Sequence, residues 1–168
     1  MRLVVIRHAK AEDGLDFART GQADSLRPLT ESGRKKMHRA VAGLIREVEF
    51  IDVLASSPLL RARQTAEIVA EAYVGRTVVE LDLLAPGGDP EALRAWLRSQ
   101  RDDVVAAIVG HEPDLSELIS WLLTGRHDSF LVLKKGAVCL LTLDADVTPG
   151  QARLVWLQTA SQLASLKT

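Results

Sequence analysis

The apolar positions of this chain follow two periods, and their alternation predicts the elements. Leu3-Val4-Val5-Ile6 is a short apolar run, three of its four residues β-branched, and it stops at Arg7-His8. Such a run predicts a buried strand whose end carries two polar side chains. Lys10 to Leu29 is polar, contains glycine and has no sustained period, which predicts a long loop of the kind that often carries function. Thr30 is an N-cap with Glu31 and Ser32 in the first turn. Met37, Val41, Leu44, Ile45 and Val48 then recur at helical spacing, which predicts a helix over 31–48. His38 flanks that stripe as a partly covered helix histidine. Asp52 to Ser57 predicts a second strand, with Ser57 capping the next helix and Pro58 in its first turn. Thr77 to Leu81 predicts a third strand, and Pro86-Gly87-Gly88 a turn. Asp89 caps a helix that turns Leu93, Trp96 and Leu97 inward.

Val104 to Val109 is the strongest strand signal, apolar throughout and therefore buried on both faces. It ends in Gly110-His111-Glu112-Pro113. A helix over Asp114–Thr124 stops at Gly125, and His127 lies in the solvated turn beyond it. Phe130–Leu133, Ala137–Leu143 and Arg153–Leu157 read as three strands with no helix between them, which predicts antiparallel hairpins at a sheet edge. Ala160–Leu166 reads as a short helix. Strand and helix alternate through most of the chain, which predicts an α/β fold with helices on both faces of one sheet.

Composition narrows the function classes. The chain has 168 residues, 47% hydrophobic and 26% charged, which suits one globular domain over 1–168. A formal net charge of −1 offers no overall basic bias toward nucleic acid or an anionic membrane. The N-terminal apolar run is too short and too charged behind to be a signal peptide, and no run approaches a membrane span. The lone cysteine, Cys139, sits in an apolar run, reads as a small hydrophobe and allows no disulfide within the chain, which fits a cytoplasmic protein.

The candidate chemistry lies where strands end. The first strand is followed by Arg7-His8, the second by Ser57-Pro58-Leu59-Leu60-Arg61, and the central one by Gly110-His111. If these strands run parallel, two arginines and two histidines converge at their carboxyl ends, where open α/β sheets bind ligands. That set suits a phosphoryl group. Arginine presents a planar, permanently charged fork to phosphate oxygens. The start of the helix carrying Arg61 adds free N–H groups. A neutral histidine can attack phosphorus in line and carry it as phosphohistidine, splitting hydrolysis into two easier steps. A metal site on His8 and His111 is disfavoured, because arginines repel a cation and no carboxylate stands at ligand spacing. No Gly-x-Ser-x-Gly elbow and no glycine-rich loop with a following lysine occurs.

Arg7-His8-Ala9, Ser57-Pro58-Leu59-Leu60-Arg61-Ala62-Arg63-Gln64-Thr65 and Gly110-His111, in that order, resemble the histidine phosphatase superfamily, the phosphoglycerate mutase-like group. The start Arg-His-Ala-Lys-Ala, the segment Arg27-Pro28-Leu29-Thr30 and the segment Leu84-Ala85-Pro86-Gly87-Gly88-Asp89 resemble its SixA-type phosphohistidine phosphatases. The resemblance implies a three-layer α/β sandwich around a mostly parallel sheet. It implies that His8 is the phosphorylated nucleophile, that Arg7 and Arg61 hold the phosphate, and that His111 donates to a phosphate oxygen. No metal or organic cofactor is implied.

Two departures stand out. Ala9 replaces the glycine that many relatives have after the histidine, a small change that keeps the backbone accessible. Many relatives also place a glutamate after the third strand as proton donor. Here Glu80, Asp82 and Glu112 are the candidates for that acid. An alkoxide leaving group needs a general acid near neutral pH, whereas the imidazole of phosphohistidine is a far better leaving group. The expected preference is therefore for P–N bonds. The expected function is hydrolysis of a phosphohistidine-bearing protein, such as the phosphotransfer domain of a signalling relay, by a monomer with an open pocket mouth. A small-molecule phosphomonoesterase is the alternative within the same chemistry. A non-catalytic phosphohistidine-binding protein is the alternative outside it.

Overall fold

Leu3 to Ile6 lie in strand β1 (Arg2–Arg7), and the pleat sends their side chains alternately into two cores. Val4 and Ile6 enter one and Leu3 and Val5 the other, all fully buried. The computed structural model describes residues 1–166 of the chain. In it β1 pairs in parallel with β4 (Val105–Gly110), β4 with β2 (Val53–Ser56), and β2 with β3 (Val78–Glu80). On the other side of β1, β5 (Val138–Thr142) and then β6 (Arg153–Gln158) run antiparallel. The sheet order is β3-β2-β4-β1-β5-β6. This is the expected architecture, a mostly parallel sheet with an antiparallel hairpin at one edge.

Helices α2 (Glu31–Glu47), α3 (Leu60–Ala72) and α6 (Ala160–Ser165) cover the face that holds Val4 and Ile6. Helices α4 (Pro90–Arg98) and α5 (Asp114–Thr124) cover the other. Their boundaries follow local chemistry. Thr30 and Asp89 cap α2 and α4 through their side chains, and Gly125 ends α5 in the left-handed conformation. Strand β4 is buried at all six positions, as its unbroken apolar run requires. Cys139 packs in β5, and burial pushes its thiol up to about 12, so it is inert filler. Among the described residues no helix is long and apolar enough to cross a membrane.

Three expectations are corrected. The segment 10–29 contains a short helix, α1 (Gly14–Ala18), and a 3-10 turn at Asp24–Leu26. Asp13 caps α1 by accepting from the N–H groups of Leu15 and Asp16, but α1 buries only Phe17, so no apolar stripe announces it. Helix α3 begins at Leu60 with Leu59 as its N-cap residue, later than a Ser57 cap would place it. Phe130–Leu133 belongs to no strand. Its Phe130 N–H donates to Ser120 Oγ, its Leu131 carbonyl accepts from Ser129, and its Leu133 carbonyl accepts from Arg7. Both edges of β5 are already taken by β1 and β6, so it forms no hairpin with β5.

Helix α2 carries a close contact that the fold depends on. A Cβ on Gly43 would stand 1.9 Å from the Leu163 carbonyl oxygen of α6. Gly43→Ala is therefore expected to force α6 off α2 and to cost about 1–3 kcal/mol by overpacking. Urea denaturation of the variant checks this, and an unchanged midpoint at unchanged m would contradict the contact.

Candidate active site

The parallel registers of β1, β4 and β2 bring their carboxyl ends together. Arg7 lies opposite Gly110, and Ser56 opposite Val109. Two backbone bonds extend these ladders past the strand ends, from His8 N–H to the Gly110 carbonyl and from Ser57 N–H to the Val109 carbonyl. His8, Ser57 and His111 thus emerge at one edge of the sheet. The His8 and His111 rings lie with centroids 5.1 Å apart. Arg61, on the first turn of α3, faces the same place and is only 5% exposed. The four residues predicted to share a pocket are brought together.

His8 is held for one chemical state. Its Nδ1 lies 2.7 Å from the Ala9 carbonyl oxygen. A carbonyl can only accept, so Nδ1 carries the proton and the lone pair of the neutral ring is on Nε2. Burial pushes the His8 pKa down to about 4, helped by the positive charges of Arg61, Arg7 and Lys135 and opposed by the Ala9 carbonyl. The ring is thus neutral and nucleophilic at pH 7. Ala9 is fixed in turn. Its N–H donates to Thr65 Oγ1 at 3.0 Å, and that hydroxyl donates to the Arg61 carbonyl at 2.7 Å. The strand end and the first turns of α3 are stitched by one threonine.

The arginines are anchored but not used up. Arg7 donates from Nη1 to the Leu133 carbonyl at 2.6 Å. Arg61 donates from Nη1 to the Asp24 carbonyl at 3.0 Å, and its Nη2 meets the Asp24 carboxylate at 3.1 Å. The Nε of each is buried and has no partner. A buried unpartnered donor costs free energy unless something fills the role, and such donors beside a neutral histidine can meet the oxygens of an anion. Asp24 also accepts from Arg27 Nε at 2.7 Å, and this bond and the charge of Arg61 hold its carboxyl below the usual range. The loop is thereby tied to α3.

His111 Nε2 lies 2.8 Å from Ser57 Oγ, while its Nδ1 is buried and unpartnered. With the proton on Nδ1, Ser57 donates to Nε2 and Nδ1 offers a hydrogen to an incoming oxygen. Burial pushes His111 down to about 3, with the charges of His8, Arg61 and Arg7 adding to the effect. A bound dianion reverses those charge effects and favours the imidazolium.

The three candidate acids separate. Glu80 is half-exposed and paired with Arg63 at 3.0 Å. Asp82 is exposed in a 3-10 turn. Glu112 differs from both, since it is partly buried and its Oε1 has no partner. Burial raises its pKa against the hydrogen bonds of Ser116 and the charge of Arg7. His38 stays largely exposed, 3.9 Å from Glu71. His127 is exposed and stacks on Trp121. Ser57, Asp24 and Thr65 are site residues that sequence reading missed. Ser57 reads as a helix cap in the sequence, but Leu59 is the N-cap of α3 and Ser57 Oγ only accepts from Leu59 N–H at 3.3 Å ahead of the helix. Thr65 stands at the end of the motif over 57–65 without an assigned role, and Asp24 has no local signal at all. Among the described residues no group of three or more His, Cys, Asp or Glu side chains could hold a metal ion.

The buried histidines imply a pH dependence with a definite sign. Their folded pKa values lie below the unfolded value of about 6.5. Between pH 6.5 and about 4 the unfolded chain binds protons at these sites and the native chain does not, so stability falls with pH across that window. Ring-resonance NMR of the free protein is expected to show His8 titrating near 4. A midpoint near 6.5 would mean that the ring is solvated.

The chain has clear relatives. Residues 3–85 match the family model of the histidine phosphatase superfamily (branch 1). Over 140 residues the chain is 36% identical to an uncharacterized protein of Picosynechococcus, 82% of each chain being covered. Over 147 residues it is 30% identical to the phosphohistidine phosphatase SixA of Escherichia coli, with 86% of each covered. Its fold matches the structure of the protein histidine phosphatase SixA complexed with tungstate at a TM-score of 0.80 and 26% identity, covering 97% of this chain and 99% of that one. With its arginines and histidines gathered at the carboxyl ends of the parallel strands and SixA as a homologue along most of its length, this chain belongs to the histidine phosphatase superfamily.

Proposed function

We propose that this protein is a phosphohistidine protein phosphatase that works through a covalent phosphoryl intermediate on His8. One observation carries the reading. A neutral imidazole with a free Nε2 belongs to the same strand-end cluster as three buried, unpartnered nitrogens, the Nε atoms of Arg7 and Arg61 and the Nδ1 of His111. That is a nucleophile inside an incomplete anion cradle. A phosphoryl group completes it, and preorganised donors stabilise charge as it spreads over the equatorial oxygens.

In the first step His8 Nε2 forms a bond to phosphorus as the bond to the leaving group breaks. The leaving imidazole takes up a proton, and Nδ1–H of His8 stays on the Ala9 carbonyl, which stabilises the positive charge arising on the ring. In the second step water attacks the phosphoryl group, inorganic phosphate leaves and neutral His8 is restored. Arg7, Arg61 and His111 hold the oxygens in both steps. Glu112 is the remaining candidate for proton transfer, because Glu80 is paired and Asp82 faces solvent. An imidazole leaving group asks little of such an acid, so P–N substrates are favoured. The oxyanion in the SixA complex and the activity named for the Escherichia coli homologue support the reading.

The proposed substrate is a phosphotransfer protein of a signalling relay, met by a monomer. The test incubates the protein with radiolabelled phosphohistidine domains and, separately, with an alkyl phosphate. Faster loss of label from the phosphohistidine domains is expected. An equal or better rate on the alkyl ester would replace the reading by a small-molecule phosphomonoesterase. Vanadate binding without turnover of either would leave a binding protein.

A further inference from the structure

A cleft of about 580 Å³ opens beside His8. Arg7 and Ala9, the residues on either side of His8, both line it, together with Lys10, Lys36, Lys134 and Lys135. No aspartate or glutamate is among its lining residues. The concentration is local, since the chain carries 21 Lys and Arg against 22 Asp and Glu. It is also unpaired. Elsewhere cations meet carboxylates, as Lys35 meets Glu31 and Arg94 meets Glu91. Among the described residues none of the four cleft lysines has a carboxylate within 4.0 Å. They come from three separate parts of the chain, so tertiary structure assembles like charges that repel one another.

We propose that this cleft docks an acidic segment of the substrate protein, so that carboxylates flanking the phosphohistidine select the substrate. The proposal rests on the phosphohistidine reading and specifies its substrate class. His8 does not itself line the cleft, but both of its chain neighbours do, so residues flanking a phosphohistidine held at His8 lie beside the lysines. The residue type also decides. A second phosphoryl group would call for rigid arginine forks, whereas lysines are mobile point charges on long stems and suit a spread of carboxylates. Nucleic acid fits less well, because the lining offers no aromatic side chain on which a base could stack. Opposite charge across an interface speeds encounter and excludes wrong partners, and it weakens with salt.

Two phosphohistidine peptides test this, one with glutamates around the phosphohistidine and one with glutamines. Wild type is expected to show kcat/KM on the order of tenfold higher for the glutamate peptide at low salt. That advantage should vanish in the Lys36→Glu/Lys134→Glu variant and in about 0.5 M salt, with turnover of an aryl phosphate retained. Equal rates on the two peptides in wild type, or an advantage that survives in the variant, would overturn the proposal. A second arm measures binding of the unphosphorylated glutamate peptide by fluorescence anisotropy. If neither phosphopeptide is turned over while aryl phosphate is, the phosphohistidine reading fails, and this arm still decides the cleft. Binding by wild type that is lost in the variant supports an acidic docking surface. No binding, or tighter binding of a single-stranded oligonucleotide, overturns it.

Discussion

His8→Ala is expected to abolish turnover of aryl phosphate and phosphohistidine alike, by on the order of 10⁴-fold or more, since removing a nucleophile removes the covalent route itself. In the proposed reaction the neutral ring bonds to phosphorus through its free Nε2, while Arg7, Arg61 and His111 hold the oxygens. Wild type quenched during turnover should carry an acid-labile, base-stable phosphoryl group, and the variant none. His8→Asn provides a second variant that fills more of the space left by the ring. Melting curves of both separate lost chemistry from lost fold. Activity that persists in either folded variant would refute His8 as the nucleophile.

Arg61→Lys is expected to lower kcat/KM by roughly 10²–10³-fold, because lysine keeps the charge and loses the fork. Arg61 does two things at once. Its Nη atoms hold the carbonyl and carboxylate of Asp24, and its Nε is buried and unpartnered. A single ammonium cannot do both. Asp24→Asn separates the two roles, since it weakens the loop tether and leaves the guanidinium intact. A much smaller effect in Asp24→Asn than in Arg61→Lys is expected. Equal effects would mean that Arg61 matters only as an anchor for the loop.

Much of this could be read locally. The Val104–Val109 run became β4, and the helix expected over Asp114–Thr124 has those bounds in the structure, with Gly125 as its stop. The apolar stripe from Met37 to Val48 became the buried face of α2. Arg7-His8, Arg61 and His111 were legible as candidates because each follows a strand signal, and the carboxyl ends of parallel strands share one edge. Phe130–Leu133 shows the limit of that reasoning. Its composition suits a strand, yet β5, the next strand in the chain, is already paired on both sides by β1 and β6.

Glu112 and Ser57 show a second limit. The carboxylate is drawn inward and the hydroxyl is claimed by a histidine 54 positions away. Neither fact has a local trace. The same holds for Asp24 on Arg61 and for the four lysines that meet in one cleft. Period, propensity and caps are properties of neighbouring residues, so the order of strands and helices and the residue types at their ends were present in the chain as written. Which strands lie side by side is different. Placing β4 between β1 and β2 is what sets His111 beside His8 and Ser57. That choice comes from how two cores on opposite faces of the sheet pack together, a contact between distant residues that no short window of the chain contains.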